Sequence, residues 1–394
     1  MKEKNLPSVL ESETPSSETG HALAAEDVQH HWEGVVKRRS FLKTLGVAGA
    51  ALSAGTLLSA DGFAQSTGKL SAGDVALLKF AAAVELIEAD LWQQYNELGG
   101  VQGGNASYML ALQNLDGDMP QYISDNTDDE LSHAAFLNAY LTSKGEDPVN
   151  LDAFRTLPSS RATGAKQIGR LTNLRKLNVD LSWYTRYRST QNPDLGEQFT
   201  GPFTINGQPA IPLNDTDTPP NQPQPVPPTD AKGSRMQAIA NTAGFHFAFI
   251  EQGGASLYPS FALKATSLEV LRILLSIGGV EIDHFGLWHD KAGNAVAQPL
   301  AGVVDPVTGL TFPDLNARNS ELAQTNLILP EPCTFISKNL PKCSVIRPTL
   351  TQNAGAVATI KAFTADLLFL GQSTAFFNVV NRLALAADSV RRGA

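Results

Sequence analysis

Residues 278–284 read Gly-Gly-Val-Glu-Ile-Asp-His, within an apolar segment that has helical periodicity. Side chains three positions apart lie on the same side of an α-helix, so Glu281 and His284 could bind one metal ion together. The same Glu-x-x-His spacing recurs at Glu130 and His133. The two matches predict that two helices each present a carboxylate and an imidazole to a common site.

Two further segments with helical periodicity carry glutamates in apolar surroundings. The first covers residues 75–98, where Glu85 and Glu88 fall within a stripe of apolar residues. The second covers residues 234–258 and contains Glu251. An ionised carboxylate that is buried without a partner is unstable, so each buried glutamate would need a cation or a proton. Glu85 and Glu88 could instead be solvated charges at the edge of the stripe.

Local capping offers a structural alternative for the earlier Glu-x-x-His pair. A helix is predicted from about Thr127 to Gly145, and Thr127-Asp-Asp-Glu130 fits a capping box, in which Glu130 bonds back to the Thr127 backbone. The helix with the later pair is predicted to be capped by Thr266, with Glu269 completing a second capping box. On this alternative, Glu130 is structural and the histidine that follows it is an ordinary helix residue.

The order of these groups along the chain is Glu, Glu-x-x-His, Glu, Glu-x-x-His. This order resembles the ferritin-like domain superfamily, in which two helices give one glutamate each and the other two give a Glu-x-x-His pair. Residues 77–92 resemble the first-helix motif of its exported, desiccation-related branch, and residues 251–258 resemble the third-helix motif. The resemblance implies an all-α fold with a ferritin-like four-helix bundle at residues 70–292.

Two regions lie outside the four predicted bundle helices. Residues 151–233 are predicted to be a long helix/loop insertion. Leucines at near-helical spacing over residues 171–181 favour a helix packed on the bundle, and residues 202–228 are Pro-rich and favour a loop. Residues 293–394 are predicted to contain a loop-rich segment and a C-terminal helical extension over about 354–390, to which we assign a packing role.

The resemblance also implies a di-metal carboxylate centre. Its candidate ligands are Glu85, Glu88, Glu130, His133, Glu251, Glu281 and His284. Carried over from the family, Glu130 and Glu281 would bridge the two ions. Glu251 and His284 would complete the ligand set of one ion. His133 would complete that of the other, together with one of the two glutamates of the first helix.

Ligand chemistry narrows the choice of metal. An oxygen-rich site with one imidazole per ion suits iron or manganese, whereas zinc prefers fewer and softer ligands. We therefore expect a pair of Fe or Mn ions and redox chemistry with dioxygen or peroxide, as in a ferroxidase, a peroxidase or a catalase. The alternative is a non-catalytic stress or envelope protein that uses the bundle as a scaffold. Four aromatic residues near the candidate ligands could carry electrons or simply pack: Trp92, Tyr95, Tyr258 and Trp288.

The N-terminal region has the composition of an export signal. Residues 1–36 are polar without an apolar period and are predicted to be disordered. Residues 37–64 contain Arg38 and Arg39 followed by an uncharged apolar run, and they resemble a twin-arginine signal peptide cleaved before Gln65. The resemblance implies the twin-arginine export machinery as a partner, a periplasmic or extracellular location, and no stable membrane span after cleavage. An uncleaved anchor is the alternative.

The cysteine content and the net charge limit which other partners this protein could bind. Cys333 and Cys343 are the two cysteines, and in an exported protein they favour a disulfide over a metal site, because two thiols alone bind zinc poorly. The formal net charge of −9 argues against nucleic-acid binding, which needs a basic surface. The large insertion argues against a hollow ferritin-type cage and leaves a smaller homo-oligomer open.

Overall fold

α-Helices make up most of the described residues, which confirms the predicted all-α fold. The computed structural model describes residues 69–181, 204–217, 233–294, 302–312, 339 and 355–392. The helices are α1 (Ala72–Gly99), α2 (Ala106–Gln113), α3 (Met119–Ser143), α4 (Arg235–Ala262), α5 (Leu268–Asn294), α6 (Ala356–Ala365) and α7 (Thr374–Ser389), and the strands are β1 (Leu177–Val179) and β2 (Ile205–Gln208). The long helices α1, α3, α4 and α5 correspond to the four predicted bundle helices.

The four long helices pack as two pairs, α1 with α3 and α4 with α5. The short connection at residues 263–267 makes α4 and α5 a helical hairpin. Nearly every residue of α4 is buried, because α2, α5, α6 and both strands also contact it. Helix packing of this kind supplies most of the stability of helices in proteins. Glu251, which lies in α4, is therefore enclosed on all sides.

The first turns of α1 and α5 are joined through one carboxylate. Ser71 is the N-cap of α1, since its Oγ atom accepts from the backbone N–H of Asp74 at 3.0 Å. The Asp74 carboxylate in turn accepts from the backbone N–H groups of Thr266 at 2.9 Å and Ser267 at 3.1 Å. Ser267, rather than the predicted Thr266, caps α5, because its Oγ accepts from the N–H of Val270. The hydroxyl of Thr266 is used in a hydrogen bond with Asp74.

Helix α3 begins earlier than the sequence pattern predicted. It starts at Met119, so Thr127 lies in the helix interior. The Thr127 hydroxyl donates to the carbonyl oxygen of Ile123 at 2.7 Å and is 3.2 Å from that of Trp92 in α1. A residue in this position cannot cap the helix that contains it, so the capping-box interpretation of Glu130 is wrong.

The end of α3 is fixed by a glycine and by contacts with α5. Gly145 has φ +80° and follows the helix, a conformation typical of glycine at helix C-termini. Glu269 of α5 accepts a hydrogen bond from the hydroxyl of Tyr140 at 2.9 Å and lies 2.7 Å from Nζ of Lys144. The predicted capping box at Glu269 is therefore wrong, because its carboxylate binds α3 instead of its own helix terminus.

The insertion contains no α-helix within its described residues, 151–181 and 204–217. Strands β1 and β2 pair antiparallel, with Leu177 opposite Gln208. The helix predicted over residues 171–181 is wrong. The backbone N–H groups of Leu171 and Thr172 donate to Asp90 of α1 at 3.0 and 2.9 Å, and the leucines of this segment are buried in irregular segments and in strand β1. Contact with the bundle, rather than helical periodicity, explains the spacing.

The C-terminal extension is helical, as predicted, but it is divided into α6 and α7 by a turn at residues 366–373. Leu367, in that turn, has φ +67°. The carbonyl oxygens of Asp366 and Leu368 accept from backbone N–H groups of the insertion at 2.9 and 2.7 Å. The extension therefore packs on the insertion as well as on the bundle.

Several predictions fall outside the described residues: the N-terminal tail at 1–36, the signal peptide at 37–64, the two ends of the Pro-rich loop at 202–203 and 218–228, and both cysteines, Cys333 and Cys343. Among the described helices, none combines the length and the apolar character that a membrane span requires.

Candidate metal centre

Carboxylates and imidazoles from all four long helices meet in the bundle interior. Helix α1 contributes Glu85 and Glu88, α3 contributes Glu130 and His133, α4 contributes Glu251, and α5 contributes Glu281 and His284. All of these side chains are buried, and the two histidines are the most exposed, at 6–7%. The helical spacing thus places each carboxylate on the face that its helix turns toward the others.

The first group of possible metal ligands consists of Glu85, Glu130, His133 and Glu281. The Nδ1 atom of His133 lies 3.3 Å from a carboxylate oxygen of Glu85 and 3.3 Å from one of Glu130. It lies 3.4 Å from Oε1 of Glu281. Three carboxylates therefore converge on one ring nitrogen.

The second group consists of Glu130, Glu251, Glu281 and His284. The Nδ1 atom of His284 lies 3.2 Å from Oε1 of Glu130 and 3.3 Å from Oε2 of Glu251. In each group, the potential ligand atoms lie within 4.8 Å of one another. Glu130 and Glu281 belong to both groups, so their carboxylates lie between the two positions where an ion would be bound.

The donor set fits a pair of cations. Three buried carboxylate oxygens, Oε2 of Glu85, Oε1 of Glu281 and Oε2 of Glu251, have the Nδ1 atom of His133 or His284 at 3.3–3.4 Å, and no hydrogen-bond partner is found for Oε2 of Glu281 among the described residues. Ionised oxygens in a water-poor interior are strongly unfavourable without a compensating charge. Oxygen-rich ligands with one imidazole per group suit iron or manganese.

Protonation reflects the crowding of charges. Burial, followed by the nearby charges of Glu85 and Glu251, raises the pKa of Glu130 to about 7. Burial and the charge of Glu130 raise the pKa of Glu281 well above its usual range. In the metal-free protein, these carboxyl groups therefore retain protons to a higher pH than ordinary glutamates do.

The pKa values of the two histidines are raised, although burial by itself would lower them. Burial alone lowers the pKa of an imidazole, but hydrogen bonding with Glu130 and Glu281 outweighs it and raises the pKa of His133. For His284, the charge of Glu251 and a hydrogen bond with Asp129 likewise outweigh burial and raise the pKa. The metal-free centre therefore holds protons on its imidazoles, and a metal ion would have to displace them.

Glu88 is the one candidate ligand that the structure leaves outside both groups. It lies one turn beyond Glu85 in α1, is buried, and has no hydrogen-bond partner for either oxygen among the described residues. Burial raises the pKa of Glu88 well above its usual range, followed by the charges of Glu281 and Glu130. The geometry thus favours Glu85 over Glu88, which the sequence left open.

Three residues orient the candidate ligands, and of these only Tyr258 was identified from the sequence, as an aromatic residue near the ligands. Asn126 donates through Nδ2 to Oε1 of Glu130 at 2.9 Å and to Oε1 of Glu251 at 3.1 Å. The hydroxyl of Tyr258 donates to Glu85, and Oδ2 of Asp129 lies 3.0 Å from Nε2 of His284. Asn126 lies four positions before Glu130, so this contact would have been predictable had the helix been extended toward Met119.

Glycines make room for the site. A Cβ atom built on Gly254 of α4 would overlap the Glu281 carboxylate and would lie 2.8 Å from its Cδ atom. A Cβ atom built on Gly278 of α5 would lie 2.6 Å from Cβ of Tyr258, so α4 and α5 approach each other closely at this glycine. The close approach does not involve Gly279, where a Cβ atom would meet nothing within 4 Å.

Comparison with known proteins gave one match. A sequence model of the ferritin-like domain matches residues 73–294, which extend from the first turn of α1 to the end of α5. Neither a search of the curated proteins nor a search of the solved structures gave a match. The matched range covers more than half of the chain and contains every candidate ligand.

Proposed function

This chain belongs to the ferritin-like domain family, and on that premise we propose that it binds a pair of iron or manganese ions and uses them in redox chemistry with dioxygen or peroxide. Glu130 and Glu281 would bridge the ions. Glu85 and His133 would complete one ligand set, and Glu251 and His284 the other. This assignment takes Glu85 rather than Glu88, because only Glu85 shares a group with His133.

The observation that carries the proposal is the pair of ligand groups joined by two shared carboxylates. The charge balance of the site points to the same conclusion, because two cationic imidazoles cannot neutralise five buried carboxylates when these are ionised.

Bound iron or manganese would supply open coordination positions and electrons for an oxidant. The chain itself contributes orientation and protons. The Asn126 amide donates hydrogen bonds to Glu130 and Glu251 and so fixes their positions relative to each other. The Tyr258 hydroxyl donates a hydrogen bond to Glu85. Glu88 places a further buried carboxyl group one turn from Glu85.

The place of action belongs to the same proposal. The resemblance of residues 37–64 to a twin-arginine signal supports export to the periplasm or beyond, and the twin-arginine route carries proteins that are already folded. A protein that must acquire its metal before export fits this route. Detection of the mature chain beginning at Gln65 in an exported fraction would test it.

The first experiment is metal stoichiometry. Metal-free protein is reconstituted with Fe(II) or Mn(II) without oxygen, and bound metal is measured by elemental analysis. We expect about two ions per chain. The Glu130→Gln variant should lose most of both metal ions, because the Glu130 carboxylate belongs to both ligand groups. The control variant Glu146→Gln should keep both ions, because Glu146 pairs with Lys79 away from the centre. A parent protein that binds no metal, or a Glu130→Gln variant that binds the full amount, would overturn the proposal.

The second experiment separates redox chemistry from a scaffold role. Loaded protein is mixed with dioxygen or peroxide, and oxidation of Fe(II) is followed together with the melting temperature. Turnover supports the redox proposal. Metal that raises the melting temperature without any reaction would assign the protein as a non-catalytic, metal-stabilised bundle.

A further inference from the structure

A continuous row of aromatic side chains leads away from the candidate metal centre. Asn126 connects this row to the centre. It contacts Glu130 and Glu251, and it accepts a hydrogen bond from Nε1 of Trp288 at 2.6 Å. Trp288 stacks on Trp92, with ring centroids 5.3 Å apart and an interplanar angle of 22°. The two indoles come from α5 and α1, so the row crosses the bundle between helix pairs.

The row ends on a tyrosine. The ring centroid of Tyr95 lies 5.6 Å from that of Trp92, and Phe247 packs against both rings at 4.7 and 4.9 Å. Trp92, Tyr95 and Trp288 are fully buried, at 0% exposure. Close aromatic contact in a dry interior is a suitable arrangement for transfer of an electron from ring to ring, and it also excludes water from the rings.

Tyr95 is followed by a histidine and an aspartate that the metal centre does not use. The hydroxyl of Tyr95 lies 2.7 Å from Nδ1 of His246, and Nε2 of His246 lies 2.9 Å from Oδ2 of Asp366. All three side chains are buried. With the imidazole proton on Nε2, where it is donated to Asp366, Nδ1 is free to accept the phenol proton. Asp366 comes from the C-terminal extension, so this extension has more than a packing role.

The proton chemistry differs along the row. An oxidised phenol becomes a strong acid and persists as a radical only if a base takes its proton, and His246 is in place to do so. Trp92 has no such base, since its indole Nε1 atom has no hydrogen-bond partner among the described residues. Trp288 faces the amide oxygen of Asn126, which is a weak base. If one ring of this row loses an electron, we therefore expect the radical to localise on Tyr95.

We propose that Tyr95 is a redox-active residue, which gives up one electron through Trp92 and Trp288 and passes its phenol proton to His246. The electron goes to the dioxygen or peroxide reduced at the metal centre, and this destination rests on the proposed function. The O–H bond of Tyr95 breaks and an N–H bond forms on Nδ1 of His246. The resulting imidazolium faces the Asp366 carboxylate. His246 and Asp366 act as positioning residues.

The resting state is consistent with this assignment. Burial raises the pKa of Tyr95 well above its usual value, so the phenol keeps its proton until it is oxidised. Tyr108 is a useful comparison, because it is equally buried and its pKa is also raised by burial, yet its hydroxyl donates to the carbonyl oxygen of Ala210 at 2.7 Å. A carbonyl oxygen cannot take the proton of an oxidised phenol.

The test uses two routes to the same radical. In the first, metal-free protein is oxidised by a ruthenium tris-bipyridine photosensitiser with persulfate and frozen for electron paramagnetic resonance. In the second, Fe(II)-loaded protein is mixed with peroxide and frozen in the same way. We expect a tyrosyl radical by both routes, its loss in Tyr95→Phe, and its retention in Tyr108→Phe. If the chain bound no metal, only the second route would fail, so the two proposals are tested separately.

Two further variants test the positioning residues. Asp366→Asn keeps a hydrogen-bonding group opposite Nε2 but removes its charge, so the Tyr95 radical should decay faster and its spectrum should change. Trp92→Phe should slow formation of the radical without altering its spectrum. A tyrosyl signal that is unchanged in a folded Tyr95→Phe variant, or one whose lifetime does not change in Asp366→Asn, would overturn the proposal.

Discussion

The Oδ2 atom of Asp129 lies 3.0 Å from Nε2 of His284, on the side of the ring that faces away from the candidate metal centre. A proton held on Nε2 leaves Nδ1 free toward Glu130 and Glu251, which is where a metal ion would need it. Asp129 is half exposed on α3, one position before Glu130. A surface carboxylate therefore fixes the tautomer of a buried candidate ligand.

Asp129→Asn tests this arrangement. An outer-shell partner of a metal-bound histidine typically changes metal affinity by about 10–100-fold, so we expect a loss of this size for the ion bound by His284. The ion bound by His133 should be affected less. Competition with a metal indicator should then resolve two unequal sites. Asp125→Asn is the control, since Asp125 is on the same helix and accepts from exposed Gln121 instead; equal losses in both variants would contradict the prediction.

Gly254→Ala should weaken metal binding through Glu281. The added Cβ atom would occupy the space of the Glu281 carboxylate, which would have to leave its position between the two groups. Gly253→Ala is the matched control, because a Cβ atom at that position meets nothing within 4 Å. We expect Gly254→Ala to bind substantially less Fe(II) than either Gly253→Ala or the parent. Full occupancy in a folded Gly254→Ala variant would exclude Glu281 as a shared ligand.

The two adjacent glycines of α5 should respond in opposite directions. In Gly278→Ala the new methyl group would lie 2.6 Å from Cβ of Tyr258, which cannot move without its backbone. Overpacking of this kind typically costs about 1–3 kcal/mol. Gly279→Ala meets no neighbour and should stabilise by up to about 1 kcal/mol, through helix propensity. Urea unfolding of metal-free protein measures both values, and similar effects of the two substitutions would show that α4 and α5 do not approach at Gly278.

The stability of the metal-free protein should fall as the pH rises from 4.5 to about 7. The pKa of Glu130 is raised from 4.5 to about 7 on folding, so the folded state holds more protons than the unfolded state in this window. Its stabilising contribution is complete below pH 4.5 and is lost as the pH passes about 7. The raised pKa of Glu281 acts in the same direction. Thermal unfolding across this range should show the decline, and it should be smaller in Glu130→Gln.

Bound metal should reverse the pH dependence of the protein's stability. A bound cation replaces the protons of the carboxyl groups and imidazoles, so its affinity and its stabilising effect should increase with pH. Melting temperatures with and without Mn(II) should therefore diverge as the pH rises. A constant difference would indicate that the cation binds away from these titrating groups.

Much of the site follows from the sequence, because helical periodicity is a local property. A carboxylate and an imidazole three positions apart share a helix face whatever surrounds them, so Glu130 with His133 and Glu281 with His284 could be paired in advance. The order of the four helical segments then identified the superfamily, which the ferritin-like match supports. The resemblance also implied that Glu130 and Glu281 would bridge a pair of ions, and both residues belong to both ligand groups in the structure.

What the sequence could not provide depended on contacts between distant segments. Thr127 resembles a helix cap when its neighbours alone are considered, but α3 begins at Met119, and the Thr127 hydroxyl bonds to the carbonyl oxygen of Ile123 within that helix. The leucines of the insertion have helical spacing, but Asp90 accepts from the backbone N–H groups of Leu171 and Thr172, and no α-helix forms there among the described residues. In both cases a local pattern was overridden by packing.

The sequence by itself therefore determined the helices of the bundle, the face of each helix that carries acidic groups, and the chemical type of the site. Only the tertiary structure favoured Glu85 over Glu88, because that choice depends on how α1 is rotated about its axis in the bundle. It alone also joined His246 to Asp366, which are separated by 120 positions. Side-chain period is fixed within a helix, whereas rotation and long-range pairing are fixed by the packing of one helix against another.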